Sequence, residues 1–341
     1  MRTERRTTCV ACGGSGTLLH RGVTDRLFGV PGCWDVWRCD TCESLWLDPR
    51  PHRDDIAEAY VAYYTHTADD AGATPSLRGR SRYRRMLDAF HAVRHRGPWS
   101  GSRLSAQLQA LPIRMWAGRA ADARFEAFYR PVKPGGRALD VGAGRGYSVE
   151  RLRSLGWDAS GIDPDEAAVA AGLQAGIPLA AGDLASQGYP GESFDLLTMS
   201  HVIEHVHEPA GLLVECLRVL RPDGELVVVT PNARALQHRR AGGEWFALDP
   251  PRHLQIFTRQ SLSKLLEQAG FVDVTVRTSV RGANTNVAGQ RAFRRGERFD
   301  MTVAPSWRDR LAAELAQEAE AVSLLFDRDA GEDLVAVARR P

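Results

Sequence analysis

A glycine-rich turn after a short apolar segment is the clearest candidate for ligand binding in this 341-residue sequence. The segment carries an acid, Asp140, and leads into a turn with glycine at every second position, Gly142, Gly144 and Gly146. Glycine allows a positive φ and lets a ligand approach the backbone closely. Asp163 ends the next apolar segment, 21 residues after Gly142, and this spacing suits a carboxylate that binds ribose hydroxyls. The pattern predicts a nucleotide-type binding loop between a strand and a helix.

The spacing of the glycines differs from that of a dinucleotide-binding loop. A dinucleotide fingerprint has the form G-x-G-x-x-G/A, but Tyr147 stands at its last position. The pattern D-x-G-x-G-x-G, from Asp140 to Gly146, instead resembles motif I of the class I S-adenosylmethionine (SAM) methyltransferases. Because SAM has an adenosine but no pyrophosphate, the dinucleotide spacing is not required.

Strand-like and helix-like segments alternate after the loop, which predicts βαβ units and a parallel sheet. The later predicted strands are Pro178–Ala181, Ser193–Met199, Leu226–Thr230, Phe271–Thr278 and Asp333–Arg339, and the predicted helices are Tyr147–Leu155, Leu212–Leu220 and Arg308–Phe326. The order FDL, HVIEH, PDGEL within Arg137–Phe271 is similar to the methyltransferase core. The resemblance implies an α/β, Rossmann-like fold: a seven-stranded, mostly parallel sheet with helices on both faces and an antiparallel last pair of strands.

The same resemblance implies a set of cofactor-binding residues. Motif I would line the methionine and ribose of SAM, the acid at the end of strand two would hold the ribose diol, the acid after strand three would flank the adenine, and the end of strand four would lie near the sulfonium. The predicted SAM-binding residues are Asp140, Gly142, Ala143, Gly144, Gly146, Tyr147, Asp163, Asp183, Leu184, Ser200 and His201.

A candidate general base lies beyond the fifth predicted strand. Methyl transfer to a hydroxyl requires removal of its proton, and histidine is the commonest base. The segment Gly242–Leu254 concentrates Trp, Phe and Pro around His253. It follows the carboxyl end of a parallel strand, where ligands bind in such sheets. We expect His253 to be the base, and the alternative is that it only fixes the loop.

A second group of polar residues follows strand four. The run from His201 to His205 matches the inverted zincin pattern H-x-x-E-H, but zincin histidines lie within a helix, and these follow a strand. In ubiquinone-type O-methyltransferases a similar Glu-His pair ends this strand. That resemblance implies that Glu204 and His205 orient the acceptor or hold the loop, and we expect His207 to lie in solvent. The catalytic candidates are therefore His253, His205, His201 and Glu204.

Two C-x-x-C pairs near the N-terminus, Cys9 with Cys12 and Cys39 with Cys42, have the spacing of a zinc site. The 26 residues between the pairs exceed the usual spacing of about 15–20, and glycines and a proline there predict a hairpin-like excursion. Four thiolates leave no open coordination position, which favours structural zinc. A redox pair would need a thioredoxin-like context, and disulfides are not expected in a cytosolic protein.

We divide the chain into three parts: a zinc ribbon, 1–50; a linking helix and basic helical insertion, 51–130; and a SAM methyltransferase core, 131–341, with an insertion at 281–331. The ribbon followed by PRP and a tyrosine cluster resembles the leader found before many bacterial SAM methyltransferases. By that resemblance Tyr60, Tyr63 and Tyr64, on a predicted helix Asp54–Tyr64, would cover the cofactor; packing between ribbon and core is the alternative. We expect Gly282–Trp307 to be irregular.

Composition limits the partners. The net charge is +2, and no 18-residue apolar run or apolar signal segment is present, so we expect a cytoplasmic protein without a membrane partner. The sequence leaves the oligomeric state open.

The predicted function is SAM-dependent methyl transfer to a small molecule, namely a hydroxyl of a sugar or secondary metabolite. A phosphorylated or nucleotide-linked acceptor would suit the mixed apolar and basic surroundings. One alternative is a zinc-ribbon RNA methyltransferase, which the arginine-rich segment 76–130 would support; few aromatic residues for base stacking and the near-neutral net charge count against nucleic acid. The other is a non-catalytic binding partner with the SAM fold, which the intact loop, Asp163 and Asp183 argue against.

Overall fold

The computed structural model of the chain describes residues 1–60, 82–95, 101–115, 130, 133, 135–297, 299 and 305–341. The strands in chain order are β1 (Thr3–Glu4), β2 (Gly16–Val23), β3 (Trp34–Cys39), β4 (Leu45–Leu47), β5 (Arg50–Pro51), β6 (Arg137–Val141), β7 (Asp158–Asp163), β8 (Leu179–Ala181), β9 (Phe194–Ser200), β10 (Leu220–Pro231), β11 (Gln255–Ile256), β12 (Val272–Ser279) and β13 (Asp333–Arg339).

The α-helices in chain order are α1 (Arg82–His95), α2 (Arg103–Met115), α3 (Tyr147–Leu155), α4 (Glu166–Gln174), α5 (Pro209–Val219), α6 (Leu236–Ala241), α7 (Arg259–Gln268), α8 (Ala283–Arg294) and α9 (Trp307–Ser323). Short 3-10 helices cover Ile56–Tyr60, Ile203–His205, Gly242–Glu244 and Phe246–Leu248. Within the described residues no helix is both long and apolar enough to cross a membrane.

Seven strands form the central sheet in the order β12-β13-β10-β9-β6-β7-β8. Neighbours from β10 to β8 are parallel, and β13 is antiparallel to both β10 and β12. Alternate residues of β10 face opposite sides: Val227 and Val229 pack with α3 and α4, whereas Leu226 and Val228 pack with α5 and α7. The predicted Rossmann-like sheet with helices on both faces is confirmed, including its antiparallel last pair.

The N-terminal segment shares both a sheet and a core with the rest of the chain. A four-stranded antiparallel sheet has the order β11-β4-β3-β2, so that a strand from the second half of the chain completes it. Cys9, Cys39 and Trp46 belong to the same hydrophobic core as Phe257 and Leu262. Residues 1–50 are therefore packed firmly against the loop that precedes α7.

Two local predictions differ from the structure. The stretch Gly282–Trp307 is not wholly irregular, because α8 occupies much of it after Gly282, whose φ is 82°. The predicted helix Asp54–Tyr64 is represented by the single 3-10 turn Ile56–Tyr60, and Tyr63 and Tyr64 lie outside the described residues. Much of the predicted insertion at 76–130 also lies outside them, apart from α1 and α2, which pack on each other.

Candidate active site

The glycine-rich loop joins β6 to α3, and each of its glycines has a positive φ. The φ angles of Gly142, Gly144 and Gly146 are 73°, 53° and 88°, values that L side chains rarely adopt. A Cβ at Gly142 would lie 2.3 Å from Cγ2 of Val202, and one at Gly146 would lie 2.6 Å from Cγ2 of Ile177. A Cβ at Gly144 would have nothing within 4 Å. Packing therefore requires the outer two glycines, and the middle one borders open space that a ligand can enter.

Asp163, the last residue of β7, holds this loop through its carboxylate. The backbone amides of Gly144 and Asp165 donate to Oδ2 and Oδ1 at 2.6 and 2.8 Å. The acid predicted to bind ribose thus lies beside the loop predicted to bind the cofactor.

Asp140 is buried between β6 and β9. Its Oδ1 accepts a hydrogen bond of 2.5 Å from Oγ1 of Thr198. Burial raises the pKa of Asp140 to about 7, against the opposing effect of hydrogen bonds from Thr198 and Ser148. Its carboxyl group therefore helps to join the two central strands where the loop begins.

The other predicted SAM-binding residues lie at the ends of the parallel strands. Asp183 is exposed and accepts a hydrogen bond from the amide of Ser186 at 2.8 Å, while Leu184 is buried. Ala143 is buried within the loop, Tyr147 is exposed at the start of α3, and Ser200 ends β9.

Glu204 is the centre of a polar cluster at the carboxyl end of β9, and its side chain is fully buried. Nδ1 of His201 lies 3.1 Å from its Oε1, and Oγ1 of Thr230 donates to its Oε2 at 2.9 Å. Burial raises the pKa of Glu204, but the hydrogen bond and charge of His201 lower it to a net value of about 2. The cluster therefore contains a buried carboxylate at neutral pH.

His253 and His205 are neutral neighbours of this carboxylate. Nδ1 of His253 donates to the carbonyl oxygen of Ala247 at 2.7 Å, which leaves the lone pair on Nε2, 4.0 Å from Oε1 of Glu204. The two imidazole rings are 4.7 Å apart, and burial lowers the pKa of each to about 4. Ligand atoms of Glu204, His205 and His253 lie within 4.8 Å of one another, so the trio also has the composition of a divalent-cation site.

His201 differs from the two neutral histidines in position and in the direction of its pKa shift. Its side chain is 43% exposed, and its Nε2 lies 3.7 Å from Oδ2 of Asp333. Desolvation lowers its pKa, the carboxylates of Asp333 and Glu204 raise it, and the net shift is upward. Its φ of 55° is uncommon for a side chain of this size, and such strain concentrates at functional sites.

His207 does not lie in solvent, contrary to our expectation. It is buried, and one of its ring nitrogens, Nε2, lies 3.0 Å from the carbonyl oxygen of Pro51. The short strand β5 covers it, a contact between residues 156 positions apart that local sequence does not reveal.

Arg252 is a residue of the site that the sequence did not single out. It is fully buried beside His253 and forms ion pairs with Asp25 and Asp249. Because Asp25 is 227 residues away, no motif or spacing could have indicated the pair.

The four cysteines of the two C-x-x-C pairs converge on one point. Sγ of Cys9 lies 3.5 Å from Sγ of Cys42, and Sγ of Cys12 lies 3.4 Å from Sγ of Cys39. All four sulfur atoms lie within 4.8 Å of one another, and all four residues are free thiols. Such a set is suited to tetrahedral zinc.

Comparison with known proteins identifies a methyltransferase domain over most of the strands of the central sheet. A family model described as a methyltransferase domain matches residues 114–276. A probable S-adenosylmethionine-dependent methyltransferase of Mycobacterium tuberculosis is 31% identical over 235 residues, which cover 64% of this chain and 83% of that protein.

Two further proteins are similar to the chain, one over a smaller part of it and the other at a lower sequence identity. A ubiquinone biosynthesis O-methyltransferase of Burkholderia vietnamiensis is 31% identical over 151 residues, 41% of this chain and 64% of that protein. The crystal structure of a SAM-dependent methyltransferase from Archaeoglobus fulgidus is 21% identical and covers 67% of this chain and 98% of its own, with a TM-score of 0.45.

Proposed function

The chain belongs to the SAM-dependent methyltransferases, and on this premise we propose that it methylates a hydroxyl of a small molecule with His253 as the general base. SAM supplies the electrophilic methyl group in this family. The residues of motif I and Asp163 would hold it: the backbone at Gly144 borders open space, and the carboxylate of Asp163 lies at the same loop.

The observation that carries the proposal is the orientation of His253. Its Nδ1 proton is committed to the carbonyl of Ala247, so Nε2 is the atom that can accept a proton. The ionised Glu204, 4.0 Å away, would stabilise the imidazolium that forms. A base must have a free lone pair within reach of the proton that it removes, and His253 meets the first of these conditions.

The reaction would be an in-line displacement. Nε2 of His253 would take the proton of the acceptor hydroxyl while the hydroxyl oxygen forms a bond to the methyl carbon. SAM would supply that methyl group, and its sulfur would leave with the electron pair of the broken bond, so that the products would be a methyl ether and S-adenosylhomocysteine. The low pKa of His253 favours the neutral, proton-accepting form at pH 7.

Replacement of one histidine tests the proposal. We expect His253→Gln to lower kcat by about 100- to 10,000-fold, the usual contribution of a general base, and to leave SAM affinity unchanged. The matched control is His207→Gln, because His207 is also buried and also contacts a backbone carbonyl through its ring, but it lies outside the cluster. Transfer of labelled methyl groups to a panel of hydroxyl acceptors gives kcat, and calorimetry gives SAM affinity.

The same assay separates a base from a metal ligand. With His253 as the base, transfer continues in the presence of a chelator that leaves the four-cysteine site loaded. Unchanged kcat in His253→Gln would remove the residue from the mechanism, and transfer that depends on added divalent cations would assign it to coordination.

We also propose that the four cysteines bind one structural zinc ion. Four converging thiols, which would bind as thiolates, provide the complete ligand set of a closed site. Elemental analysis should give one zinc per chain, and substitution of cobalt should give the visible spectrum of a tetrahedral thiolate site.

The acceptor class is a separate part of the proposal. We propose a sugar or secondary-metabolite hydroxyl, with phosphorylated and nucleotide-linked forms included in the panel. RNA belongs in the same panel, because affinity for RNA that falls steeply with salt would favour the alternative function.

A further inference from the structure

An ion pair between two fully buried residues connects the N-terminal segment to the loop that carries His253. Nη1 and Nη2 of Arg252 donate to Oδ2 and Oδ1 of Asp25, each at 2.9 Å, and neither side chain has exposed surface. Asp25 lies in the excursion between β2 and β3. Two parallel bonds of this kind fix the relative orientation of the guanidinium and carboxylate planes.

All five N–H groups of Arg252 are used. Besides the pair with Asp25, Nε donates to Oδ2 of Asp249 at 3.0 Å, Nη2 donates to Oδ1 of Asp249, and Nη1 donates to the carbonyl of Ala59 at 3.2 Å. The ring of Phe28 lies 4.6 Å from the guanidinium carbon. The guanidinium is therefore held by three separate segments of the chain.

The carboxylate of Asp25 is equally committed. Its oxygens accept hydrogen bonds from the backbone amides of Leu27, Phe28 and Val30 at 2.9, 3.0 and 3.1 Å. These bonds shape the excursion around the acid, so that the position of Arg252 depends on the fold of the N-terminal segment.

Arg252 and Asp249 in turn contact both neutral histidines. The carbonyl of Arg252 lies 3.0 Å from Nδ1 of His205, and Oδ2 of Asp249 lies 3.9 Å from Nε2 of His253. The backbone amide of His253 donates to the carbonyl of Asp249 at 3.1 Å. Tyr60, next to Ala59, contributes a hydroxyl 3.0 Å from the same Nδ1 of His205.

We propose that Asp25 and Arg252 are positioning residues, through which the excursion between β2 and β3 orients the imidazoles of His205 and His253 for methyl transfer. The four-cysteine segment then has a part in catalysis as well as in stability. Desolvation of a buried ion pair offsets much of its Coulomb attraction, so that the main consequence of this pair is fixed geometry. The inference rests on the proposed function for its kinetic test, and on geometry alone for its spectroscopic one.

The test compares two ion pairs that both join the N-terminal segment to the core. Asp25→Asn removes the charge of the buried pair, whereas the control Glu43→Gln removes the pair between Glu43 and Arg234, 2.9 Å long and half-exposed on both sides. We expect Asp25→Asn to lower kcat by about 10- to 100-fold, the scale of an ångström-sized misplacement, without a change in SAM affinity. We expect Glu43→Gln to leave both unchanged.

Nitrogen-15 NMR of the imidazoles gives the second readout. In the wild type we expect His253 to be protonated at Nδ1 alone. In Asp25→Asn the imidazole signals of His253 and His205 should shift or broaden. In Glu43→Gln these signals should stay as they are in the wild type. If Asp25→Asn does not fold, Phe28→Leu replaces it, because it keeps the ion pair and removes only the ring beside the guanidinium; the same shifts are expected, with a smaller loss of kcat.

The outcomes separate the two proposals. Unchanged imidazole signals in a folded variant that also keeps its kcat would overturn the positioning role and leave the proposed function standing. If the wild type methylates no hydroxyl acceptor, the proposed function fails, and the imidazole signals alone decide whether Asp25 and Arg252 position the histidines.

Discussion

At the scale of single residues, one glycine motif combines two physical requirements. Gly142 and Gly146 need both a positive φ and the absence of a side chain, because Val202 and Ile177 occupy the space that a Cβ would take. Gly144 needs the positive φ but has open space around it. We therefore predict that packing depends on the outer two glycines and SAM binding on Gly144.

The middle glycine gives a prediction that separates binding from folding. Gly144→Ala should cost about 1–2 kcal/mol of stability, because alanine is strained in the left-handed region, and should weaken SAM binding by about tenfold or more, equivalent to at least 1.4 kcal/mol. Gly142→Ala should cost a further 1–3 kcal/mol or so through overpacking against Val202. Thermal unfolding and calorimetry with SAM measure the two effects.

Gly296→Ala is the matched control for backbone strain. Its φ is 72°, nothing lies within 4 Å of the added Cβ, and it follows α8, outside the glycine-rich loop. It should lose similar stability and keep its SAM affinity. Equal SAM affinity in the variants at 144 and 296 would contradict the assignment of the loop.

Residues that act through local spacing could be predicted from sequence, and residues that act through distant contacts could not. The two-residue spacing of Cys9 and Cys12 already predicts that both thiols face one ligand. The position of Asp163 relative to the glycine-rich loop follows from the geometry of one βαβ unit. The pair of Asp25 with Arg252 depends on how the whole chain folds. The burial of His207 under Pro51 went unpredicted for the same reason.

At the scale of elements, three helices with an apolar face were predicted close to their bounds, whereas α8, which has polar residues on its buried face, was expected to be irregular. The predicted helix Tyr147–Leu155 has the bounds of α3. In α8 the buried residues include Asn286 and Gln290, which interrupt the apolar period that indicates a helix. The amide of Asn286 is satisfied by Glu332, just before β13, so that only the folded chain explains its burial.

The contacts of α8 and α9 with the end of the chain give a pH prediction. Glu320 of α9 and Glu332 are both buried. Burial is the largest cause of the raised pKa of Glu320, and repulsion from the carboxyl group of Glu332 is the second. Burial is also the main cause of the raised pKa of Glu332. A raised folded-state pKa stabilises the fold below the unfolded-state value, about 4.5, and this stabilisation is lost as pH rises through the folded-state value. Stability should therefore fall as the medium becomes more alkaline.

In the wild type the side chains of Trp245 and Asn286 donate hydrogen bonds to Oε1 of Glu332. Glu332→Gln removes the carboxyl group but keeps an amide oxygen that can accept these bonds. The fall in Tm between about pH 5 and 9 should be shallower than in the wild type. Glu58→Gln, at an exposed position, should follow the wild-type curve. A Glu332→Gln curve parallel to that of the wild type would show that the buried pair does not set the pH dependence.

At the scale of the whole molecule, the four-cysteine segment is joined to the core by sheet, core and polar contacts. β4 pairs with β11 just after His253, and the hydroxyl of Thr258 donates to the carbonyl of Cys42 at 3.0 Å. Ser44 donates to Ser261 in α7 at 2.7 Å. Composition and spacing predicted a ribbon and a core, but these shared contacts could come only from the folded chain. They imply that the two parts unfold together.

Loss of the cysteine site should therefore affect the entire chain. We expect Cys9→Ser to remove the bound zinc and to lower the Tm of a single cooperative transition by about 10 °C or more. In a domain of this size class, each kcal/mol of lost stability lowers the Tm by roughly 2–4 °C. Methyl transfer should fall as the folded fraction falls. Cys33→Ser, at an exposed cysteine outside the cluster, should keep the zinc, the Tm and the activity. Calorimetric scans with elemental analysis decide the matter: if Cys9→Ser unfolds in two separate steps, with the later one at the wild-type Tm, the ribbon melts alone and the core does not depend on it.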